Sequence, residues 1–290
     1  MPENVKNWEE EVHKLFDVQR IRNKIRKTPD EKLQVQDEKY GWTIIHALAA
    51  ICRDDTAGVK PKIRTIFEAL KERKLLSLAG EVDRDGDTPL HSASNSRNPE
   101  TADLLLSFFP TQSEKALQTQ NNLKRTPLHI ALYKRDWKML KLLLEFSIEH
   151  KLCHPLLGLD LNAHKTTLMH EAMKIGEGVE YLKSFLPEVI TRLGKSVAKL
   201  SLVIYDEVFN SAWFYLIEGG DPNAIKNVIT VLQENLHEVR VGDLYINNKR
   251  QTMIHQARRE GRKEAITILR KLENEERVVD AEGNTGVTFY

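Results

Sequence analysis

Ten histidines and two cysteines are the residues of this sequence whose types suggest metal binding or nucleophilic catalysis. His150, Cys153 and His154 lie close together and are of the types that bind zinc. They make only one three-ligand cluster, and Pro155 disfavours helix at the end of the segment. We therefore expect a loop here, and no metal or other cofactor.

A cysteine nucleophile needs a histidine within reach and a third group that orients it. Cys52 follows His46 by six residues, and a helix of about 100° per residue would place these two side chains on different faces. Neither cysteine lies in a catalytic motif, and no phosphate loop, dinucleotide-binding motif or nucleophile elbow is present. The sequence predicts a protein without intrinsic enzymatic activity and without a small-molecule substrate.

Five of the histidines belong to a recurring tetrapeptide. Thr-Pro-Leu-His at residues 88–91 returns at residues 126–129, and looser or degenerate copies occur elsewhere. The copies begin at Thr43, Thr88, Thr126, Thr167, Ser211, Thr252 and Thr285. An acid or its amide lies five residues before each start: Glu38, Asp83, Asn121, Asn162, Asp206, Asn247 and Asp280. The chain is therefore an array of repeats that are 33 to 45 residues long.

This pattern resembles the ankyrin repeat, whose signature is Thr-Pro-Leu-His-x-Ala in a unit of about 33 residues. The copy at residues 83–93 is specific by itself, and the resemblance extends over about residues 37 to 288. It implies an all-α helical repeat solenoid with short β-hairpin tips, stabilised by the stacking of neighbouring repeats. Most repeats exceed the family length, and helical periodicity in the extra residues predicts lengthened second helices.

Three regions follow from this alignment. Residues 1–36 are expected to form a helical cap, residues 37–282 about six repeats, and residues 283–290 either the start of a seventh repeat or a C-terminal cap. Pro187 should kink or split the second helix that contains it. Phe214 replaces the histidine of the fifth repeat and is expected to be buried, and Trp137 and Trp213 are assigned to the core.

The predicted hairpin tips carry basic residues. The family has a glycine two residues before Thr. Three copies keep it, as Gly41, Gly86 and Gly283. Three other copies have a basic residue there instead: Lys124, Lys165 and Arg250. Non-glycine residues with positive φ are uncommon, so these tips either are remodelled or accept strain. The basic tip residues Lys124, Arg125, Lys165, Lys249 and Arg250 are either solvated loop charges or fingers that face an acidic partner.

A second candidate surface lies on the first helix of each repeat. In ankyrin-like proteins, positions one and four residues after the histidine face the inner groove. The candidates there are Ile130, Tyr133, Glu171, Lys174 and Tyr215. Central aromatic residues with polar flanks are typical of a protein-binding patch.

Composition narrows the remaining function classes. The 43 basic and 42 acidic residues give a net charge of +1, which does not favour nucleic-acid binding. The basic run at residues 20–27 is interpreted as a solvated helix face, with a nucleic-acid or anionic-lipid patch as the alternative. Two cysteines favour a reducing compartment, hence a cytoplasmic location, and no apolar stretch approaches the roughly 18 residues of a transmembrane segment.

The resemblance implies a non-enzymatic protein–protein interaction module or scaffold, whose partner has an acidic surface. The long, irregular repeats are also similar to ankyrin proteins that intracellular bacteria inject into host cells, which implies an effector in the host cytosol. The alternative is a targeting arm of a larger enzyme, with the catalytic domain outside this chain.

Overall fold

A computed structural model describes residues 27–51, 59–152, 166–195, 198, 204–236, 246–247 and 251–276. Regular secondary structure within these ranges is entirely helical, which confirms the predicted all-α class. The described hairpin tips are turns rather than paired strands. Their strand-like pairing is limited to two isolated bridges, Tyr205 with Ser211 and Asn210 with Asn247.

The chain divides into two compact units, residues 1–163 and 164–290. The helices described in the first unit are α1 (Asp30–Leu33), α2 (Ile44–Ile51), α3 (Val59–Glu72), a 3-10 helix (Leu76–Ala79), α4 (Pro89–Asn95), α5 (Pro99–Phe108), α6 (Pro110–Gln118), α7 (Pro127–Tyr133) and α8 (Trp137–Glu149). Those of the second unit are α9 (Leu168–Lys174), α10 (Gly178–Leu193), α11 (Ala212–Gly219), α12 (Pro222–Asn235), α13 (Met253–Arg259) and α14 (Lys263–Glu276).

Each unit consists of two layers of helices. In the first unit, α2, α4 and α7 pack side by side as an inner layer, and α3, α5 and α8 form an outer layer. In the second unit, α9, α11 and α13 form the inner layer and α10, α12 and α14 the outer layer. An inner helix and the outer helix after it make one repeat, whose apolar faces are buried against the neighbouring repeats.

Lengthened outer helices account for much of the extra repeat length, as predicted. Helices α3 and α12 have 14 residues each, and α10 has 16. Helix α10 continues through Pro187, so the predicted split at this residue does not occur. The second repeat differs, because its extra residues form the separate helix α6. Pro110 begins this helix and has no backbone N–H with which to continue α5.

Each unit contains a pair of buried aromatic rings in contact. In the first unit the buried rings of Phe67 and Phe109 meet edge to face, with centroids 5.1 Å apart. In the second unit the buried rings of Tyr181 and Phe185 stack at 5.2 Å. Trp213 is fully buried, which confirms its predicted place in the core.

Two other predicted core residues are only half-buried. Trp137 is the first residue of α8 and lies at the end of its helix rather than along its packed face. Phe214 occupies the histidine position of its repeat, but its ring lies 5.9 Å from the guanidinium carbon of Arg259. The predictions that these two side chains are buried were therefore wrong. The predicted capping segment before residue 27 and the end at 283–290 lie outside the described residues, as do Cys52, Cys153 and His154.

Candidate functional site

A reciprocal cap begins each inner helix that carries the Thr-x-x-His pattern. In α4, the Thr88 hydroxyl accepts a hydrogen bond from the His91 N–H, and His91 Nδ1 accepts one from the Thr88 N–H at 3.1 Å. Because Nδ1 accepts, the proton of the neutral ring is on Nε2. Nε2 then donates to the carbonyl oxygen of Arg125 in the next repeat, at 3.0 Å.

The same link between repeats recurs in both units. His46 Nε2 lies 2.9 Å from the Asp87 carbonyl oxygen, and His170 Nε2 lies 3.0 Å from that of Asn210. Burial lowers the pKa of His46 and of His91 to about 4, and it lowers the pKa of His170 as well. These histidines are therefore neutral and buried, and they position the next hairpin.

An aspartate or asparagine side chain holds each described hairpin tip. Asn121 Oδ1 accepts from the N–H groups of Leu123 and Arg125, both at 3.0 Å. Asp83 and Asp206 bind their own tips in the same way. The first repeat departs from the predicted alignment, because the carboxylate that binds the tip belongs to Asp37 rather than to Glu38. Asp37 Oδ1 accepts from the N–H groups of Tyr40 and Gly41.

The residue two places before Thr or Ser adopts the left-handed conformation whether or not it is glycine. Gly41 and Gly86 have φ values of +74° and +75°. Lys124 and Phe209 occupy the same position with φ values of +57° and +62°. The described tips are therefore not remodelled where glycine is absent, and the substituted residue accepts the strain.

Four side chains of the third repeat form a mixed apolar and basic surface, here called the repeat 3 patch: Leu123, Lys124, Arg125 and Tyr133. Leu123 and Lys124 are exposed at the tip. The guanidinium carbon of Arg125 lies 4.5 Å from the centroid of the Tyr133 ring, within the range of a cation–π interaction. The structure thus brings together Arg125 of the tip and Tyr133 of the inner helix, which the sequence predicted as parts of two separate surfaces.

Three of the nominated residues meet in the second unit. Lys174 Nζ lies 4.4 Å from the centroid of the Tyr215 ring and 3.5 Å from Glu171 Oε1. The Tyr215 hydroxyl donates to Asp206 Oδ2, and burial together with this bond raises the pKa of Tyr215. Thr166 donates its hydroxyl proton to Glu171 Oε1. Through its bond with Tyr215 on α11, Asp206 connects the tip before this helix to the inner layer.

Two nominated residues present little surface to a partner. Ile130 is 8% exposed and Glu171 is 5% exposed. Ile130 packs in the inner layer, and the Glu171 carboxylate is occupied by Thr166 and Lys174. The surface that a partner could reach on the inner helices is therefore that of Tyr133, Tyr215 and Lys174. Of these, the two tyrosines are half-buried and Lys174 is exposed.

The remaining nominated tip residues, Lys165, Lys249 and Arg250, lie outside the described residues. Lys124 and Arg125 belong to the first compact unit, whereas these three belong to the second. The predicted row of basic fingers therefore stays a prediction.

Sequence reasoning missed the apolar side chains at the tips. Leu123 is 66% exposed, Val208 63% and Phe209 56%. The sequence does mark Phe209 as unusual, because it lies two residues before Ser211, at the position where the repeat pattern has glycine.

His150, the described member of the cluster with Cys153 and His154, contacts two neighbouring side chains. Its Nδ1 lies 2.8 Å from Glu114 Oε1, and its ring stacks on that of Phe146 at 4.0 Å. Among the described residues, no group of three or more His, Cys, Asp or Glu side chains is arranged to hold a metal ion. None of the described helices has the length and apolar character needed to cross a membrane.

Comparison with known proteins finds ankyrin repeats in part of the chain. A family model described as ankyrin repeats, in three copies, matches residues 62–151. A stretch of 68 residues is 40% identical to the B-cell lymphoma 3 protein homolog of Mus musculus, and it covers 23% of this chain and 15% of that relative.

Solved structures resemble most of this chain at low sequence identity. The ankyrin repeat domain of Bcl-3 aligns with a TM-score of 0.63 and 16% identity, covering 92% of this chain and 100% of that domain. An ankyrin repeat domain from Acinetobacter baumannii aligns with a TM-score of 0.52 and 17% identity, covering 79% and 96%. A chain from a complex of a predatory endopeptidase of Bdellovibrio bacteriovorus with an immunity protein aligns with a TM-score of 0.50 and 17% identity, covering 78% and 96%. Ankyrin repeats are a protein–protein interaction fold.

Proposed function

We propose that this chain, whose fold is that of an ankyrin-repeat domain, acts by binding another protein. The observation that carries the proposal is the repeat 3 patch. Its exposed Leu123 and Lys124 adjoin Arg125, which lies over the ring of Tyr133. Arginine and tyrosine are enriched among the side chains that contribute most to protein interfaces, and an apolar neighbour adds area that binding would withdraw from water.

The partner surface that meets this patch is acidic. Lys124 is exposed and Arg125 half-buried, and their charges project from a tip held by Asn121. Charges at the edge of an interface mainly raise the association rate and make it sensitive to salt. Lys165, Lys249 and Arg250 supply equivalent basic tips in the proposal.

The inner layer of the second unit provides further contacts. Lys174 and Tyr215 are the groups that would touch the partner, since Lys174 is exposed and Tyr215 half-buried. The buried Glu171 acts indirectly, because its carboxylate lies 3.5 Å from the Lys174 ammonium. Ile130 is buried on α7, the helix that carries Tyr133, and supports that helix from within the inner layer.

Recognition rather than catalysis is the activity in this proposal, and it takes place in the cytoplasm. The small number of cysteines supports a reducing compartment. The long, irregular repeats support an effector that a bacterium delivers into the cytosol of its host. The alternative function is that of a targeting arm of a larger enzyme. An open reading frame that extends beyond this chain and encodes a catalytic domain would establish this alternative.

A charge-reversal experiment tests the proposed surface. The wild-type chain, the variant Lys124→Glu/Arg125→Glu and the control variant Lys226→Glu/Lys263→Glu are used as baits in one lysate. The control makes the same charge change at exposed positions of α12 and α14. We expect a partner that is retained by the wild type and the control and lost with the patch variant.

Surface plasmon resonance with that partner, across a salt series, then measures the association rate. The patch variant should associate about tenfold more slowly at low salt, with a flatter salt dependence. Equal association rates for the wild type and the patch variant would contradict the assignment of the interface to Lys124 and Arg125. A chain that retains no partner above an unrelated bait would contradict the proposed function itself.

A further inference from the structure

Val208 and Phe209 form an exposed apolar pair at the hairpin tip that precedes α11. Their relative exposures are 63% and 56%. Burial of apolar surface is what makes such side chains favourable in a fold, and this pair leaves most of its surface in water. Folding of the chain alone therefore gives no reason for two large apolar residues at this place.

The backbone at Phe209 adds a second cost. Its φ of +62° lies in the left-handed region, and the matching positions of the other described tips are Gly41, Gly86 and Lys124. A Cβ atom in this conformation crowds the adjacent carbonyl oxygen. Glycine would remove that strain, and the largely exposed ring would lose little packing. Strained backbone that persists in a fold is concentrated at functional sites.

Asp206 holds this strained tip in one conformation. Its Oδ1 accepts from the N–H groups of Val208 and Asn210, at 3.0 and 2.9 Å. Its Oδ2 accepts from the hydroxyl of Tyr215 on α11. Because the tip is tied to the inner layer, its backbone is ordered before binding, which lowers the entropic cost of presenting Val208 and Phe209.

We propose that Val208 and Phe209 anchor the partner protein by inserting into an apolar pocket on its surface. The proposal rests on the proposed function and names the chemistry of the partner. A protruding pair of side chains fits a concave site, and the exposed Glu207 beside it fits a basic residue at the pocket's edge. The pocket therefore is apolar, with a basic border on the side of Glu207.

A second copy of this chain is the less suitable occupant of the tip. Two such tips packed together would bury on the order of 400 Å² of surface, which is well below the roughly 1,200 Å² of a specific, stable interface. The pair therefore serves as an anchor within a larger contact that the partner makes with the rest of the chain.

Photo-cross-linking locates the contact on the full-length chain. Phe209 is replaced by p-benzoylphenylalanine, and the control carries the same replacement at Glu180, which is exposed on α10. Both are expressed in the cells that make the protein. We expect one protein to be cross-linked from position 209 and not from position 180, through an apolar segment bordered by lysine or arginine. Equal cross-linking from both positions would overturn the proposal.

Binding and unfolding are then measured with the purified partner and three chains: wild type, Phe209→Gly and Phe209→Leu. The glycine variant should bind at least about tenfold more weakly, and the leucine variant within about threefold of wild type. The thermal midpoint of the glycine variant should equal or exceed that of the wild type. A lower midpoint would identify Phe209 as a folding residue and overturn the anchor.

The two proposals fail in different ways. A partner that binds wild type and Phe209→Gly equally well would leave protein binding as the function and refute the anchor. A chain that cross-links no protein from position 209 and retains none through the repeat 3 patch would refute both.

Discussion

The imidazole Nε2 of His91 lies 3.0 Å from the carbonyl oxygen of Arg125, so a buried side chain of one repeat holds the hairpin of the next. His46 makes the same bond to Asp87. In both rings Nδ1 accepts from the N–H of the capping threonine, which requires the neutral form. Protonation would place a second N–H against that donor. The link between repeats is therefore sensitive to acid.

Stability should fall as the pH is lowered from 6.5 towards 4. Burial lowers the pKa of His46 and His91 from 6.5 to about 4, so the unfolded chain binds more protons than the folded chain between these values. Each neutral histidine contributes about 3 kcal/mol to the free energy of unfolding. This contribution is fully present above pH 6.5 and is lost as the pH falls towards 4. Asp87 offsets part of this loss, because burial raises its pKa to about 6 and the folded chain takes up its proton first.

Chemical denaturation at about pH 7.5 and about pH 4.5 measures the effect, with His91→Gln as the control. The variant should be less stable than wild type at the higher pH by about 2–3 kcal/mol, since it breaks a buried hydrogen-bond network. Its loss on acidification should be about 2 kcal/mol smaller than that of wild type. An identical pH dependence of the two chains would contradict the assigned role of His91.

Lys124→Gly should stabilise the fold by about 0.5–1 kcal/mol. The substitution removes a Cβ atom from a residue with φ of +57°, and the side chain it removes is exposed. The reverse change at the matching position of the previous repeat, Gly86→Ala, should cost about 2 kcal/mol or more. An added Cβ there would lie 2.9 Å from Asn122 Oδ1 at a φ of +75°. Urea denaturation of both variants is the measurement, and a destabilising Lys124→Gly would contradict the strain at this tip.

Neighbouring aromatic residues of α11 should differ in their effect on stability. Trp213 is fully buried, so Trp213→Ala should cost about 3–5 kcal/mol as a large truncation in the core. Phe214 is half-buried, and Phe214→Ala should cost only about 1–2 kcal/mol. The difference between the two free energies of unfolding is the quantity to measure. Equal losses would mean that the ring of Phe214 belongs to the core after all.

Local patterns in the sequence predicted the inner helices well. Threonine caps, proline at the first helical position and the histidine three residues later all act within one turn of helix, so the order of residues is sufficient to recognise them. Trp213 lies two residues after Ser211, where the pattern has leucine, and it is buried like Leu90 and Leu128. The helix start at Asp221-Pro222 is also confirmed.

The features that depend on the length of a tip or on which side chains meet in the folded chain were not predicted. Asp37 replaces Glu38 because the first tip has one more residue between the binding carboxylate and Thr43 than the others do. Glu171 appeared to be a surface charge, but the hydroxyl of Thr166 and the Lys174 ammonium satisfy it in a buried position. The exposure of Phe209 depends on how the tip projects from its repeat.

The bonds made by Asp206 and the strain at Phe209 should be thermodynamically coupled. Tyr215→Phe removes one hydrogen bond to Asp206 and should cost about 1 kcal/mol, whereas Asp206→Ala also leaves two backbone N–H groups of the tip without their acceptor and should cost about 2–3 kcal/mol. Once Asp206 is gone, the tip is free to leave the left-handed conformation, so the strain at Phe209 is already relieved.

Phe209→Gly should therefore stabilise the wild-type chain by about 0.5–1 kcal/mol and the Asp206→Ala chain by much less. A double-mutant cycle on urea denaturation of the four chains gives this coupling free energy directly. Additive effects would show that Asp206 does not hold Phe209 in its strained conformation. The tip would then keep that conformation through bonds other than those of the Asp206 carboxylate.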